Sequence, residues 1–339
     1  MKAIVARRYG PPDVLELRTA EPDPAPAAGQ VLVRVAAAGI NFADLLMRLG
    51  LYTNSPKPPF IPGLEASGTV EAVGAGVPSR RIGERVAVLS FGGAYAEKLA
   101  IRADQAVPIP ADMTFEDAAA LPVNYLTAYH SLIYMARLRP HERVLIHAAA
   151  GGVGVAAIEL AKIVGAEIIG TASASKHDFL RARGVAHRID YRTQDFEAEV
   201  RRLSDGRGVD VILDAVGGDS FRKSYRLLAP AGRLIVFGLS DAVRRHGRSL
   251  SSLWALLKTP WFHPLPMIGE NRAVIGVHIG TLGRAHPALV REELAELFRF
   301  YSEGRIKSYI GKTFPLAQAA AAHRFIHDRQ NIGKVLLIP

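Results

Sequence analysis

Asn41, Asp44 and Tyr52 stand close together in the stretch AAAGINFADLLMRLGLY, Ala36 to Tyr52. Asn41 and Asp44 open a predicted helix on one face, and an amide beside a carboxylate suits two chemistries. One is metal ligation. The other is acid–base work by the carboxylate. Each residue also has a plain structural reading. Asn41 can cap a helix over Phe42 to Leu49, and Asp44, like Glu65, can serve as an ion-pair or turn residue. His147 lies within an apolar strand and reads as a hydrogen-bonded core histidine. His323 and His327 are four apart on a predicted helix, with no third metal ligand evident.

A second cluster is glycine-rich. The apolar run VLIH leads into Ala149-Ala150-Gly151-Gly152-Val153-Gly154, and a helical pattern starts at once. This is the dinucleotide pattern G-x-G-x-x-G with Ala149 at the first glycine position. Gly151 lets the backbone approach a pyrophosphate, and Gly154 lets the helix pack close to its strand. The helix start offers N–H groups and the positive dipole end to phosphates. A site for NAD usually places Asp or Glu at the end of the next strand, on the ribose hydroxyls. Here that strand ends IIGTASASK, and the first acid is Asp178, inside the following helix. Ser173 and Lys176 stand where a 2′-phosphate would sit, with Arg181 and Tyr191 as further contacts, so NADP(H) is the expected cofactor. Val216 and Gly217 in DAVGG, and Phe237 and Gly238 in VFG, follow two later strands. They are expected to line the ribose and nicotinamide, since ligands of such sheets lie beyond the carboxyl ends of the strands.

The elements that must position these groups are legible in outline. The first third has many short strand patterns separated by Pro and Gly, which predicts a barrel-like β unit. Gly39 is expected to break the strand that begins near Gln30. From Asn124, apolar runs of strand length alternate with helices of period 3.6, which predicts a parallel, doubly wound α/β sheet. A helix is expected from Tyr125 to Arg137 and another from Pro287 to Glu303. Residues 240–271 interrupt the rhythm. Trp254, Leu257, Trp261, Phe262 and Leu265 make that segment apolar, and its prolines break any long amphipathic face. We read it as wall or packing surface in preference to membrane contact.

Composition narrows the function classes. The 339 residues suit two domains. There is no cysteine, which excludes disulfides, thiolate metal ligands and a cysteine nucleophile. The formal charge is +10, from 42 Lys and Arg against 32 Asp and Glu, but the basic residues are scattered and no nucleic-acid partner is expected. No apolar run is long enough to span a bilayer. The strand-like start Met1-Lys2-Ala3-Ile4-Val5 leaves no expected signal peptide, and a cytoplasmic location is expected.

These residues resemble the medium-chain dehydrogenase/reductases, in particular the zinc-free quinone oxidoreductase branch that includes zeta-crystallin. The resemblance spans nearly the whole chain. It rests on GINFADLLMRLGLY, IPGLEASGTVEAVGAGV, LPVNYLTAYHSL, LIHAAAGGVG, the ASK and DYR pair, and the terminal NIGKVLLIP. The segment after VFG and the ending RQNIGKVLLIP are most similar to the vesicle amine transport protein subgroup. The resemblance implies a GroES-like β domain at 1–122 and 284–339, a Rossmann domain at 123–283, and a homodimer. It places Asn41, Tyr52 and Thr127 near the nicotinamide and substrate carbonyl, and adds Asn331 to the cofactor contacts. Zinc-dependent relatives have Cys where Asn41 stands and His where Leu64 stands, so no metal is expected. Some relatives carry tyrosine at the position of Leu46, so one donor of theirs is missing here. The implied activity is hydride transfer from NADPH to a quinone or an α,β-unsaturated carbonyl. Two alternatives stay open: an enoyl-thioester reductase, and a nucleotide-binding protein of lipid surfaces with little turnover.

Overall fold

The computed structural model describes residues 1–53, 55–240 and 259–339. They form two units, Met1–Leu126 with Ile279–Pro339, and Thr127–His278.

The first unit is built on a seven-stranded sheet. Its strands are β3 (Gln30–Ile40), β4 (Glu65–Val73), β5 (Arg85–Leu89), β6 (Lys98–Arg102), β7 (Ala106–Pro108), β14 (Ile310–Pro315) and β15 (Lys334–Ile338), ordered β14-β15-β3-β4-β5-β7, with β6 on β3. A short antiparallel pair, β1 (Ala3–Ala6) and β2 (Leu15–Arg18), completes its strands. Inward residues such as Val31, Val33, Val35, Val70, Val86 and Leu337 make the core. Full burial of each such side chain is worth roughly 1.5–3 kcal/mol.

β3 corrects one expectation. Gly39 does not break the strand; β3 runs through it to Ile40, bonded to β4 on one side and β15 on the other. The glycine is there for room. A Cβ at Gly39 would lie 2.5 Å from both Ala119 O and Glu65 Oε1, so only hydrogen fits between strand and neighbours.

Helix α1 (Phe42–Leu49) follows directly and ends at Gly50, which takes the left-handed conformation that lets its N–H close back on the last turn. Its inward face carries Asp44, Leu45, Met47 and Arg48. Asp44 and Arg48, one helical turn apart, are therefore both taken into the interior.

The second unit is an all-parallel, six-stranded sheet. Its strands are β8 (Arg143–Ile146), β9 (Glu167–Ala172), β10 (His187–Asp190), β11 (Val209–Asp214), β12 (Leu228–Val236) and β13 (Ala273–Gly276), in the order β10-β9-β8-β11-β12-β13. Numbered within the unit this order is 3-2-1-4-5-6, the Rossmann arrangement, whose strand order reverses between β8 and β11. Runs such as VDVILD are buried on both faces, as parallel strands require.

Among the described residues, six more α-helices precede residue 240. They are α2 (Phe115–Ala120), α3 (Asn124–Tyr129), α4 (Gly152–Val164), α5 (His177–Ala182), α6 (Phe196–Leu203) and α7 (Asp219–Arg226). The helix expected over Tyr125 to Arg137 is α3 followed by a π-helical stretch, His130–Met135. The late helix expected to Glu303 runs Pro287–Ser302.

Of the apolar segment, Trp254 and Leu257 lie outside the described residues. Phe262 packs on Tyr225, with ring centroids 5.4 Å apart. Trp261 and Leu265 are not packed: they are 99% and 70% exposed. Pro264 and Pro266 fall in the first turn of the seven-residue helix Pro264–Glu270, whose residues are none of them buried.

Candidate functional site

Strand register gathers the first cluster. Glu65 on β4 faces Gly39 on β3, and Val335 on β15 faces Ile40. This register places Asn41, one residue past the end of β3, beside Glu65 of β4 and Lys334 of β15 at one end of the sheet. Asn41 Nδ2 donates to Glu65 Oε1 at 2.6 Å, and Lys334 Nζ donates to Asn41 Oδ1 at 2.8 Å. Lys334 is also ion-paired and hydrogen-bonded to Glu65 Oε1. Glu65 Oε2 accepts the Val123 N–H at 2.7 Å. All three side chains are buried. A buried ion pair holds only where its remaining polar atoms are also bonded, and this one is bonded on several sides.

Asp44 supports the same corner. Its Oδ2 accepts the backbone N–H of Asn41 at 2.8 Å, the acidic half of a capping box. The carboxyl also interacts with the buried Tyr95 hydroxyl. Burial pushes the carboxyl up to about 7, with the Glu65 charge adding to it, against the Asn41 N–H and the Lys334 charge. Tyr52 is half-buried just beyond α1. Burial, with the Asp44 charge beside it, pushes its phenol up to about 12, so it keeps its proton at neutral pH.

A buried polar group missed from sequence lies behind Asp44. His323 Nε2 is 3.2 Å from Tyr95 Oη, with the rings edge to face at 5.7 Å. Arg48 is also fully buried, and burial lowers its guanidinium to about 10. The only sequence signal was the inward phase of residues 44 and 48 on α1. Burial, then the Arg48 charge, holds His323 well below its ordinary value, so the ring is neutral. The unfolded chain binds a proton near pH 6.5 that the folded chain refuses. Stability is therefore full above that pH and is lost as pH falls below it. Denaturant unfolding at about pH 5 and about pH 7.5 should show the wild type losing more stability on acidification than His323→Gln, a comparison in which the opposite trend of Asp44 cancels. An equal loss in the variant would contradict the assignment.

The second cluster is the loop between β8 and α4. Val155 N–H makes the first helical bond, to Gly151 O, so the N–H groups of Gly152, Val153 and Gly154 stand at the open helix start. Ala149 N–H is tied to Thr171 O at 3.0 Å, and Ala148 takes φ of 51°, costly for a residue with a Cβ. A Cβ at Gly154 would lie 2.5 Å from Ala148 O. The loop is thus pressed onto its strand, with backbone amides at its mouth, and it suits a pyrophosphate. His147 below it is the satisfied core histidine expected: its ring nitrogens are each 3.2 Å from Thr171 Oγ1 and Ser224 Oγ, and burial lowers its basicity despite nearby Asp214.

The parallel sheet brings the other nucleotide residues to the same edge, because every strand ends there. Ser173 follows β9, and its Oγ is 3.2 Å from Ser175 Oγ; Lys176 ends the short helical turn beyond. Tyr191 follows β10. Val216 follows β11, its N–H held by Asp214 Oδ1 at 2.8 Å. Phe237 and Gly238 follow β12, and Phe237 N–H bonds to Asp214 O at 3.2 Å. Thr127 belongs to this unit and is buried on α3. Asn41, Tyr52 and Asn331 belong to the other unit, where Asn331 Nδ2 bonds to Gly333 O at 3.3 Å.

Comparison with known proteins gives the family. Residues 27–111 match the family model "Alcohol dehydrogenase GroES-like domain", and residues 183–337 match "Zinc-binding dehydrogenase". The synaptic vesicle membrane protein VAT-1 homolog of Danio rerio is 42% identical over 342 residues, 99% of this chain and 69% of that protein. The chain belongs to the medium-chain dehydrogenase/reductase superfamily. Among solved members, Escherichia coli quinone oxidoreductase complexed with NADPH has a TM-score of 0.88 at 32% identity, with all of both chains covered. The JamJ enoyl reductase has a TM-score of 0.87 at 29% identity, covering 99% of this chain and 98% of that one.

One family description names zinc. The amide of Asn41 is already held by an ammonium, whose charge would repel a dication there. Among the described residues, no three of His, Asp and Glu converge as a ligand set, and the chain has no cysteine.

Proposed function

We propose that this oxidoreductase is a zinc-independent reductase that uses NADPH to reduce a quinone or an α,β-unsaturated carbonyl. The observation that carries the reading is the β8–α4 loop, with β9 ending in Ser173 and Lys176 and no acid. The amides of residues 152–154 would hold the pyrophosphate, and Ser173 and Lys176 the 2′-phosphate. NADP(H) is the nucleotide these groups suit, in line with the NADPH-bound neighbour. When bound, it supplies a hydride to the electrophilic carbon of the substrate. Asn41, Tyr52 and Thr127 donate hydrogen bonds to the substrate oxygen or the nicotinamide end, and the proton that completes reduction comes from Tyr52 or solvent. The proposal includes a homodimer, joined through edge strands of the parallel sheets, and a cytoplasmic location.

Two other readings have an observation each. The likeness to JamJ favours an enoyl-thioester substrate. Exposed Trp261, Leu265 and Ile268, with the vesicle-membrane names of relatives, favour lipid contact. Among the described residues no helix is long and apolar enough to cross a membrane.

The test is NADPH oxidation with quinones, alkenals and enoyl thioesters, with and without chelator, beside liposome flotation. We expect chelator-insensitive turnover of quinones or alkenals. Turnover of thioesters alone selects the second reading, and flotation without turnover the third. Lys176→Ala should weaken NADPH binding roughly tenfold and leave NADH unchanged. Equal binding of both nucleotides, unaltered by the substitution, would refute the phosphate assignment.

A further inference from the structure

Lys334 lies in the terminal NIGKVLLIP stretch with no role assigned to it there, yet its ammonium decides what Asn41 can do. An ammonium is a donor only, and an ionised carboxylate is an acceptor only. With Lys334 Nζ at 2.8 Å from one end of the Asn41 amide and Glu65 Oε1 at 2.6 Å from the other, only one orientation is chemically allowed. The oxygen faces Lys334 and the nitrogen faces Glu65. A flip would set N–H against N–H and oxygen against carboxylate. Oδ1 is therefore turned to the Lys334 ammonium, which takes one of its two lone pairs. Of the two protons on Nδ2, one is given to Glu65.

We propose that Lys334 and Glu65 are positioning residues that lock the orientation of the Asn41 amide, so that its second Nδ2–H is the group offered to a ligand. This rests on the function proposed above and deepens it. A locked donor favours a ligand oxygen that only accepts, such as the carbonyl of a quinone, enone or thioester, and strengthens as that oxygen gains charge. It gives no partner to a hydroxyl that must donate. The rest of the corner serves the same end. Asp44 fixes the Asn41 backbone from below, and Val123 N–H holds the second oxygen of Glu65. Gly39 leaves the space that Glu65 fills.

Removing Lys334 alone would leave the Glu65 charge buried and unpaired, and the chain could fail to fold. The principal variant is therefore Glu65→Gln with Lys334→Met, which is neutral at both positions; Lys334→Met alone is the companion. The first readout needs no activity. In protein carrying 15N-asparagine, the Asn41 side-chain amide is assigned by its loss in Asn41→Ala. We expect one of its protons far downfield and slow to exchange in the wild type, and both ordinary in the double variant. The second readout is kinetic. We expect kcat to fall roughly 10- to 100-fold, with the KM for NADPH within about threefold. An amide signal that does not change on double substitution overturns the lock, whatever the activity. A released amide with unchanged kcat overturns its role in the reaction. A wild type inactive with every carbonyl substrate, but with the expected amide response, keeps the lock and discards the proposed function.

Discussion

Gly154→Val should abolish NADPH binding, raising the dissociation constant by at least roughly 100-fold. The added Cβ would sit 2.5 Å from Ala148 O and 2.6 Å from Ala149 O. Both are backbone atoms, so no rotamer change can relieve the contact. Helix α4 must lift from its strand, and the amides of residues 152–154 leave the positions at which a phosphate would meet them. Gly151 gives an internal comparison. A Cβ there approaches Ala148 O at 3.2 Å, tight but open to a small shift, so Gly151→Ala should weaken binding less. Fluorescence titration with NADPH measures both. The melting temperature with and without NADPH, and circular dichroism of the free chain, separate a lost cradle from a lost fold. Wild-type affinity in Gly154→Val would show that the nucleotide binds elsewhere.

Asp44→Asn should stabilise the chain at alkaline pH and leave it nearly unchanged in acid. The Asp44 carboxyl titrates near 3.8 when unfolded and at about 7 when folded, chiefly because of burial. Between those values the folded state holds a proton that the unfolded state has released. Its contribution to stability is thus fully present below pH 3.8, declines as pH rises, and is lost above about 7. At 1.36 kcal/mol per pH unit, the cost of ionising this group reaches about 4 kcal/mol in the alkaline limit. Asparagine is close in shape, can still accept from the Asn41 N–H, and never ionises. The difference in unfolding free energy between variant and wild type should therefore grow from near zero at about pH 4 to several kcal/mol at about pH 8. Comparing the two proteins at each pH cancels the opposite trend from His147 and His323. A difference that does not vary with pH would mean that Asp44 is ionised throughout, held by Lys334.

The nucleotide half of the molecule was legible because its determinants are local. Val144 to Gly154 encode strand, loop and helix in one continuous stretch, and the glycines are required by contacts within it. Parallel strands then bring Ser173, Val216 and Phe237 to the edge already occupied by that loop, whatever the details of packing. The π-helical turn after α3 was less legible, because it changes hydrogen-bond phase without changing the apolar period.

The other cluster was only partly readable. Asn41 was visible as a polar residue at a helix start, but its capping role and its chemical role could not be separated. Glu65 read as an ordinary structural acid, and Lys334 as one lysine among many. Gly39 looked like a strand end for the same reason: what it accommodates, Glu65, comes from another strand.

The sequence by itself determined the fold class, the dinucleotide loop, the absence of thiolate chemistry and the preference for a phosphorylated ribose. Each of these depends on residue types and short spacings. Only the tertiary structure decided that Asn41, Glu65 and Lys334 form one unit and that Asp44 and His323 are buried. These depend on the register of β4, β3 and β15, whose partners lie 24 and 293 positions from Asn41. Burial raises the free energy of charge and fixes hydrogen-bond direction, and no local pattern reports it.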